Sequence, residues 1–375
     1  MNILIFQPML KQYRMPLFVK MSELLKECGH ELRVVSGSPP KYEISKADNI
    51  CESNGFCIVE KSHWVFDERL HYLHSNFSHI LWADFVITEQ ANKHIHNYIL
   101  IILRWSGFKK FAYWGHGQNR QGNTSSFREL IKRRLSTHCD WWFAYTKGVA
   151  DYVAGLGYDP AKITVLNNSV DTSNFRKVLA EQSSDRVMQF KNELGISVNS
   201  RVGLYCGSLY AEKKIEFLLN SALLIRELNP NFVLIIVGDG ADRAIVKEYS
   251  DNYSFIKYLG PLFAEQKALA FRVAELFLCP GLVGLAILDA FTAGLPLFTC
   301  DISNHSPEIE YLDQNVNGIM TGANERDYAQ AVDDVLRDDD TLNKLRTNAL
   351  DSSMKFTIEN MAANFVDGIK AFIAN

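Results

Sequence analysis

Several short stretches put glycine or a charged residue where an apolar strand should end. In "PGLVGLAILDAFTAGLP" (280–296), Asp289 stands among Leu285, Ile287, Leu288 and Phe291, in a helix that follows Gly281 and Gly284. A carboxylate in such company is costly unless a polar group pairs with it. Glycines leading into a helix expose backbone amides at its positive end, an arrangement that suits a phosphate. With the helix taken to start beside Gly284, five residues at ~1.5 Å rise put Asp289 about 7.5 Å along the axis. That is close to the span from the distal phosphate of a nucleoside diphosphate back to its ribose diol. Two hydroxyl hydrogen bonds to the carboxylate would offset its desolvation. An acid drawn only to the helix dipole is the weaker reading, because Asp289 is expected past the first turn.

Other strand ends carry related chemistry. "VGLYCGSLYAEKK" (202–214) supplies Gly207, Ser208 and then Lys213, a glycine turn with a point charge for a phosphate; solvated surface lysines at 213 and 214 are the plainer alternative. "GDG" (238–240) does not complete a G-x-G-x-x-G fingerprint, and Asp239 reads as part of a tight turn. In the first half, His116 of "AYWGHGQNRQG" stands at a strand end before glycine, and Lys11 and Arg14 follow the first strand. No D-x-D stretch follows a strand, so no metal is required, and no cofactor is expected. "HIH" (94–96) is the best metal-ligand spacing, but a helix would point those two rings apart.

These stretches sit at the ends of two β-α-β series. The first runs through "NILIF" (2–6), a helix at 15–29, "HELRVVSG", and strands at 79–88, 110–116, 141–146 and 162–168, with a helix at 125–138. A polar segment, 170–201, reads as a linker with one short helix. The second series has strands at 202–209, 231–240, 255–260, 276–280, 296–300 and 318–322. Alternation of this kind implies α/β architecture with parallel sheets covered by helices, and ligands at the carboxyl ends of the strands.

Taken in order, the motifs of the second half resemble the retaining, GT-B-fold glycosyltransferases of family four. "GSLYAEKKIEFLL" resembles their glycine-arginine loop with its lysine, "LIIVGDG" their next strand and turn, and "GLVGLAILDAFTAGLP" their E-x7-E helix. "SNHSPEIEYLDQNVNGIM" (303–320) and "YDPAKITVLNNSVDTSNF" (158–175) resemble two further family segments. The resemblance implies a GT-B fold of two Rossmann-like, doubly wound parallel-sheet domains facing a cleft, and a retaining transferase of hexosyltransferase type. It implies that Lys213 binds the donor diphosphate, Asp289 the ribose, the Gly284–Leu285 backbone the distal phosphate or sugar, and the main chain at Tyr258 and Leu259 the base. Glu308 would support that site. His116 would face the acceptor and assist catalysis, with Lys11 and Arg14 on the acceptor side. Three positions depart from the pattern: Gly281 stands in place of the first glutamate, Ser208 of the arginine and Ser169 of a glycine.

At 375 residues the chain is long enough for two domains. The expected division is 1–178 for acceptor binding, 179–355 for linker and donor binding, and 356–375 as a helix returning to the first domain. Composition is that of an ordinary globular protein, 47% hydrophobic and 22% charged, which excludes long disordered or low-complexity regions. "MNILIFQPML" reads as a first strand rather than a leader, and "YILIILRW" falls short of the ~20 apolar residues of a membrane span. Seven scattered cysteines without C-x-x-C argue against a disulfide framework and for a reducing, cytoplasmic setting; Cys51 and Cys57 read as free thiols rather than a redox clip.

The net charge of −4 divides into +6 over residues 1–180 and −10 over the rest. Between 101 and 147, nine Lys and Arg face two acids, interleaved with Trp105, Phe108, Trp141 and Trp142. Such a stretch suits the inner face of an anionic membrane or a lipid-linked acceptor as well as it suits a solvated helix face; nucleic acid is not expected. The reading is a glycosyltransferase using a nucleotide-sugar donor, UDP-linked before GDP-linked, and a glycan or lipid-linked saccharide acceptor. A weakly catalytic nucleotide-sugar-binding protein and a GT-B-fold sugar-nucleotide epimerase are the alternatives.

Overall fold

The computed structural model describes residues 1–39, 49–50, 52–53, 55–65, 70–73, 76–117 and 133–374. The chain forms two compact units: Met1–Asp171 together with Thr357–Asn375, and Thr172–Phe356.

The first unit is built on a seven-stranded sheet, in the order Ile163–Val165, Trp141–Ala144, Lys110–Gly115, Phe85–Glu89, Asn2–Gln7, Glu31–Ser36 and Cys57–Val59. All neighbours are parallel. Such strands are covered on both faces, so they read as apolar runs rather than alternating ones. Ile3, Leu4, Ile5 and Phe6 are fully buried in consecutive positions. Helices Met15–Glu27 and Ile358–Ala374 cover one face, the latter through Met361, Phe365, Ile369 and Phe372. Phe365 meets Trp114 edge-on at 5.0 Å, and Phe372 stacks on Phe85 at 3.9 Å. Each such ring, taken fully out of water, contributes about 1.5–3 kcal/mol.

Residues 79–82 are helical rather than strand: the helix Asn76–Trp82 precedes the strand Phe85–Glu89. The alternation in "HILWADFVIT" continues across a helix end, so an apolar run of that length did not separate the two. Trp141 and Trp142 are also placed differently from the surface reading. Both are buried in the strand, their indole N–H groups bonded to the Thr164 hydroxyl and the Ser136 carbonyl. Of the expected helix at 125–138, residues 125–132 lie outside the described residues, as does Cys51. Among the described residues no helix is long and apolar enough to cross a membrane.

The second unit holds six parallel strands, in the order Ile256–Gly260, Phe232–Val237, Arg201–Cys206, Leu276–Leu278, Leu297–Cys300 and Gly318–Thr321. The 170–201 segment is more ordered than its polarity suggested: it folds as two helices, Ser173–Glu181 and Ser184–Glu193, with the Ser183 hydroxyl capping the second. Phe175 and Phe190 supply the apolar anchors that a count of polar residues hides. Phe175 packs against Phe271 at 5.1 Å, and Phe190 is buried.

Candidate functional site

At the carboxyl edge of the second sheet the backbone, not the side chains, sets the geometry. The turn after Arg201–Cys206 and the turn after Phe232–Val237 are locked together: Gly207 N–H donates to Val237 O (3.0 Å) and Leu209 N–H to Asp239 O (2.9 Å). Gly238, at φ 141°, passes so near that a Cβ there would lie 1.8 Å from Gly207 O. Only glycine permits that approach. Beside the paired turns opens a cavity of about 470 Å³ whose wall includes Phe175, Cys206, Gly207, Ser208, Asp239 and Lys267. It has the size and the strand-end position of a small-ligand site.

Asp289 has a polar partner. Its carboxylate accepts from Lys267 Nζ at 2.7 Å, and both side chains are about a quarter exposed. Burial alone would lower the Lys267 pKa, but Asp289 outweighs it and holds it above the ordinary lysine value. The lysine also lies 4.7 Å from the centre of the Phe175 ring. The helix carrying Asp289 spans Ala286–Thr292, so Asp289 falls in its first turn rather than the second. The helix starts two residues later than the glycines imply because the preceding loop is pinned elsewhere. Leu282 N–H donates to Glu212 O, Val283 N–H to Nδ1 of buried His305, and Ser306 N–H returns to Val283 O. His305 donates from Nε2 to Cys300 O, which fixes its tautomer. Beyond this pinned loop, the amides of Gly284, Leu285 and Ala286 donate to no protein acceptor among the described residues.

Lys213 is not a solvated surface lysine. It is buried, at the end of the 3-10 turn Ala211–Lys213, and its Nζ donates to Leu282 O at 2.5 Å. It thus braces the loop bearing Gly281 and Gly284 from below. Gly281 fits over the same turn so tightly that a Cβ would stand 2.3 Å from Lys213 C and 2.4 Å from Glu212 O. Gly284 is different, with 3.6 Å to the nearest atom, Ser306 Oγ.

Of the sequence-derived candidates, Gly207 and Ser208 line the cavity, and Asp289 reaches it through Lys267. Lys213, Gly281, Gly284 and Leu285 belong to the adjoining loop. Tyr258 donates from its hydroxyl to Gly238 O (3.1 Å); Leu259 is half-buried on the same strand, whose following turn, Pro261–Ala264, forms the far wall. Glu308 is buried in the 3-10 helix Pro307–Tyr311, just after the Ser306 contact. Lys267 was not singled out, and Phe175 entered only as the last residue of the 158–175 segment; Lys267 carries no motif and lies on another helix, 22 positions from Asp289.

In the first unit, Arg14 and His116 converge on Tyr145. Arg14 is buried, with Nη1 donating to Asn168 Oδ1 (2.8 Å) and Nη2 to the Tyr145 hydroxyl (3.3 Å). The exposed His116 ring meets the same tyrosine edge-on at 4.3 Å. Lys11 is half-buried in the two-residue strand Leu10–Lys11. Ser169 is buried, its N–H directed at Met361 Sδ. His94 and His96 do not point apart: His94 precedes the helix Ile95–Trp105 in extended conformation, and the two rings stack at 5.2 Å, with His71 5.4 Å from His94. All three are buried. Burial, with the neighbouring His94 and Lys93, depresses the His71 pKa to about 3. Among the described residues no cluster of His, Cys, Asp and Glu is arranged to hold a metal.

The two parallel α/β sheets are those of the GT-B fold. Residues 188–351 match the family described as Glycosyl transferases group 1. Among relatives, the alpha-monoglucosyldiacylglycerol synthase of Acholeplasma laidlawii is 25% identical over 202 residues, covering 52% of this chain and 49% of the relative. The chain spans about half the length of the curated relatives it matches. Among solved structures, Anabaena Alr3699/HepE in complex with UDP superposes with a TM-score of 0.69 at 14% identity, covering 99% of this chain and 100% of that one. A UDP-N-acetylglucosamine 2-epimerase described from Listeria monocytogenes superposes at 0.62 and 15% identity, covering 100% and 96%.

Proposed function

We propose that the chain moves a sugar from a nucleotide-sugar donor to a glycan or lipid-linked saccharide with retention of configuration, in cell-surface polysaccharide or related glycan biosynthesis. The observation that carries this reading is the strand-end cavity walled by Gly207, Ser208 and Lys267, the last bonded to Asp289, together with three amides on the Asp289 helix start that have no protein acceptor among the described residues. The ribose diol bonds Asp289, the diphosphate lies on the amides of 284–286, and the base lies against the 258–264 strand and turn. As the glycosidic bond breaks, charge gathers on the departing diphosphate, and preformed amides with the Lys213 ammonium beneath them stabilise it without reorganisation. UDP is placed before GDP because the HepE structure of the same fold holds UDP.

Arg14, His116 and Lys11 are the proposed acceptor-side groups. Peripheral membrane contact, in a cytoplasmic setting, is the proposed location; Ile102, Trp105 and Phe108, each more than half exposed beside Arg104 and Lys109, support the membrane contact. Liposome flotation at low salt tests that contact: loss of flotation in Trp105→Ala supports it, and equal flotation of both proteins removes it.

Gly281 favours a second reading. The contact with Lys213 leaves no room for the glutamate that family members place there, so a weakly catalytic nucleotide-sugar-binding protein is the rival, with a sugar-nucleotide epimerase behind it. Thermal-shift measurements with UDP, GDP and their sugars test the binding step, since a ligand that binds only the folded form raises its apparent stability. UDP is expected to raise the unfolding temperature, and much less so in Asp289→Ala; no shift with any nucleoside diphosphate overturns the donor assignment. Binding without donor turnover supports the weak binder, and acceptor-independent isomerisation of the sugar supports the epimerase.

A further inference from the structure

At the amino edge of the second sheet, opposite the strand ends just described, a separate cavity of about 460 Å³ gathers Lys191, Arg201, Arg272 and Arg346 around one inner carboxylate, Glu275. That carboxylate is already committed. Its Oε1 lies 3.3 Å from Arg201 Nε, and its Oε2 accepts from Val202 N–H at 2.9 Å. Asp339, mostly exposed, takes Arg201 Nη1 at 2.9 Å.

What remains is an excess of donors. Arg201 Nη2 is shielded from solvent and makes no hydrogen bond, and Nε meets Glu275 only at ion-pair distance. Arg346 reaches only the Ala274 carbonyl, at 3.4 Å. Among the described residues no carboxylate stands within 4 Å of Arg346, Arg272 or Lys191. Burial lowers the Arg346 pKa, Glu275 opposes it, and Arg272 and Arg201 add to the lowering, so the guanidinium groups sit close enough to repel.

Four cations against two acids leave an excess of two positive charges. This occurs in a half of the chain whose overall balance is −10, so a general basic surface does not account for it. Unpaired guanidinium donors in a fixed, partly desolvated cluster match the tetrahedral oxygens of a phosphoryl group, which would satisfy the spare N–H groups and cancel the excess charge together.

We propose that this cavity is a second ligand site, for a phosphoryl dianion, built by Arg201, Arg272 and Arg346 and distinct from the donor cavity. The ligand is either inorganic phosphate or the phosphate of a sugar phosphate. The site does not depend on the donor reading, because none of its residues lines the other cavity.

Calorimetric titration of the full chain with inorganic phosphate, and separately with glucose 1-phosphate, tests it. Saturable binding is expected, weakened roughly tenfold in Arg346→Gln and in Arg272→Gln. Arg272 is exposed, so its variant keeps the test open should Arg346→Gln fold poorly. Saturating UDP should leave the titration unchanged. Tighter binding of the sugar phosphate assigns the ligand to that source, and equal or weaker binding assigns it to inorganic phosphate. No saturable binding, equal affinity in wild type and both variants, or displacement by UDP would overturn the site.

Discussion

The first unit closes its strand ends with side chains. Arg14, Tyr145, Asn168 and Trp114 interlock after the strands Asn2–Gln7, Lys110–Gly115 and Trp141–Ala144, and three buried histidine rings pack behind the strand Phe85–Glu89. The second unit closes its strand ends with backbone: Gly207, Gly238 and Gly281 let turns touch, and a cavity remains between Gly207, Gly238 and Lys267. The contrast teaches where each unit can change. A side-chain cap is altered one residue at a time, with pH as a lever when the cap holds histidine. A backbone cap tolerates no added atom at its contact points, yet leaves the cavity wall free to vary.

The largest expected effect is at a backbone contact. Gly281→Ala places a methyl 2.3–2.4 Å from the Lys213 and Glu212 backbone, so the Ala211–Lys213 turn and the 281–283 loop must separate. Overpacking of that kind is expected to cost about 3 kcal/mol. Gly284→Ala, with 3.6 Å of clearance, should stay within about 0.5 kcal/mol of wild type. Urea denaturation of the two variants decides it: similar midpoints would show that the second unit's strand ends are not backbone-limited. Gly281→Glu should fare no better than alanine, which separates a steric reason for the missing glutamate from a functional one.

Next comes the pair formed by Lys267 of the cavity wall and Asp289 behind it. Asp289→Asn and Lys267→Met each leave one part-buried group without its partner, at a cost of about 1–2 kcal/mol, and the double variant should recover part of that loss. Asp289→Asn should also weaken UDP binding roughly tenfold, as one charge-assisted hydrogen-bond acceptor is lost. Additive effects in the double-mutant cycle would show that the 2.7 Å contact is energetically idle.

How much of this was legible follows the same division. Backbone-built features leave a signature in sequence, because glycine at a strand end has few other reasons to be there. Gly207, Gly238 and Gly281 were therefore visible, as were the two β-α-β series. Asp289 was visible as an anomaly, but its partner was not: Lys267 stands 22 positions away on another helix, and nothing in its neighbours marks it. The first unit was harder to read. Trp141 and Trp142 sit in a basic stretch and look like surface aromatics, although both are core. His94 and His96 were judged on helical geometry, while His94 precedes the helix and stacks on its neighbour. The segment 170–201 hid two helices because Phe175 and Phe190 are few among many polar residues.

The histidine cap supplies a pH-dependent prediction. The folded-state pKa of His71 is about 3, against 6.5 for the free side chain. Below pH 6.5 the unfolded chain takes up a proton that the folded chain does not. The stability held above that pH is therefore lost progressively as pH falls toward 3. From this residue alone the loss between pH 7 and pH 5.5 is about 1 kcal/mol. His71→Leu should flatten that portion of the stability profile, and an unchanged slope would show that the ring is protonated in the folded protein.

The smallest effect is expected at Ser208, where the cavity wall is free to vary. Its side chain is exposed, and its position is the one at which family members carry arginine. Ser208→Arg adds a long cation at the rim and displaces no packed atom, so stability should move by no more than about 0.5 kcal/mol. Nucleotide affinity should rise about threefold to tenfold if the diphosphate lies on the neighbouring amides, because a guanidinium there gains a charge-assisted contact. Titration with UDP and with uridine separates the two possibilities. A gain for UDP alone places the phosphates beside Ser208. An equal gain for uridine would mean that the arginine only packs against the nucleoside, and the proposed direction of the nucleotide along the 207–208 and 284–286 loops would have to be reversed.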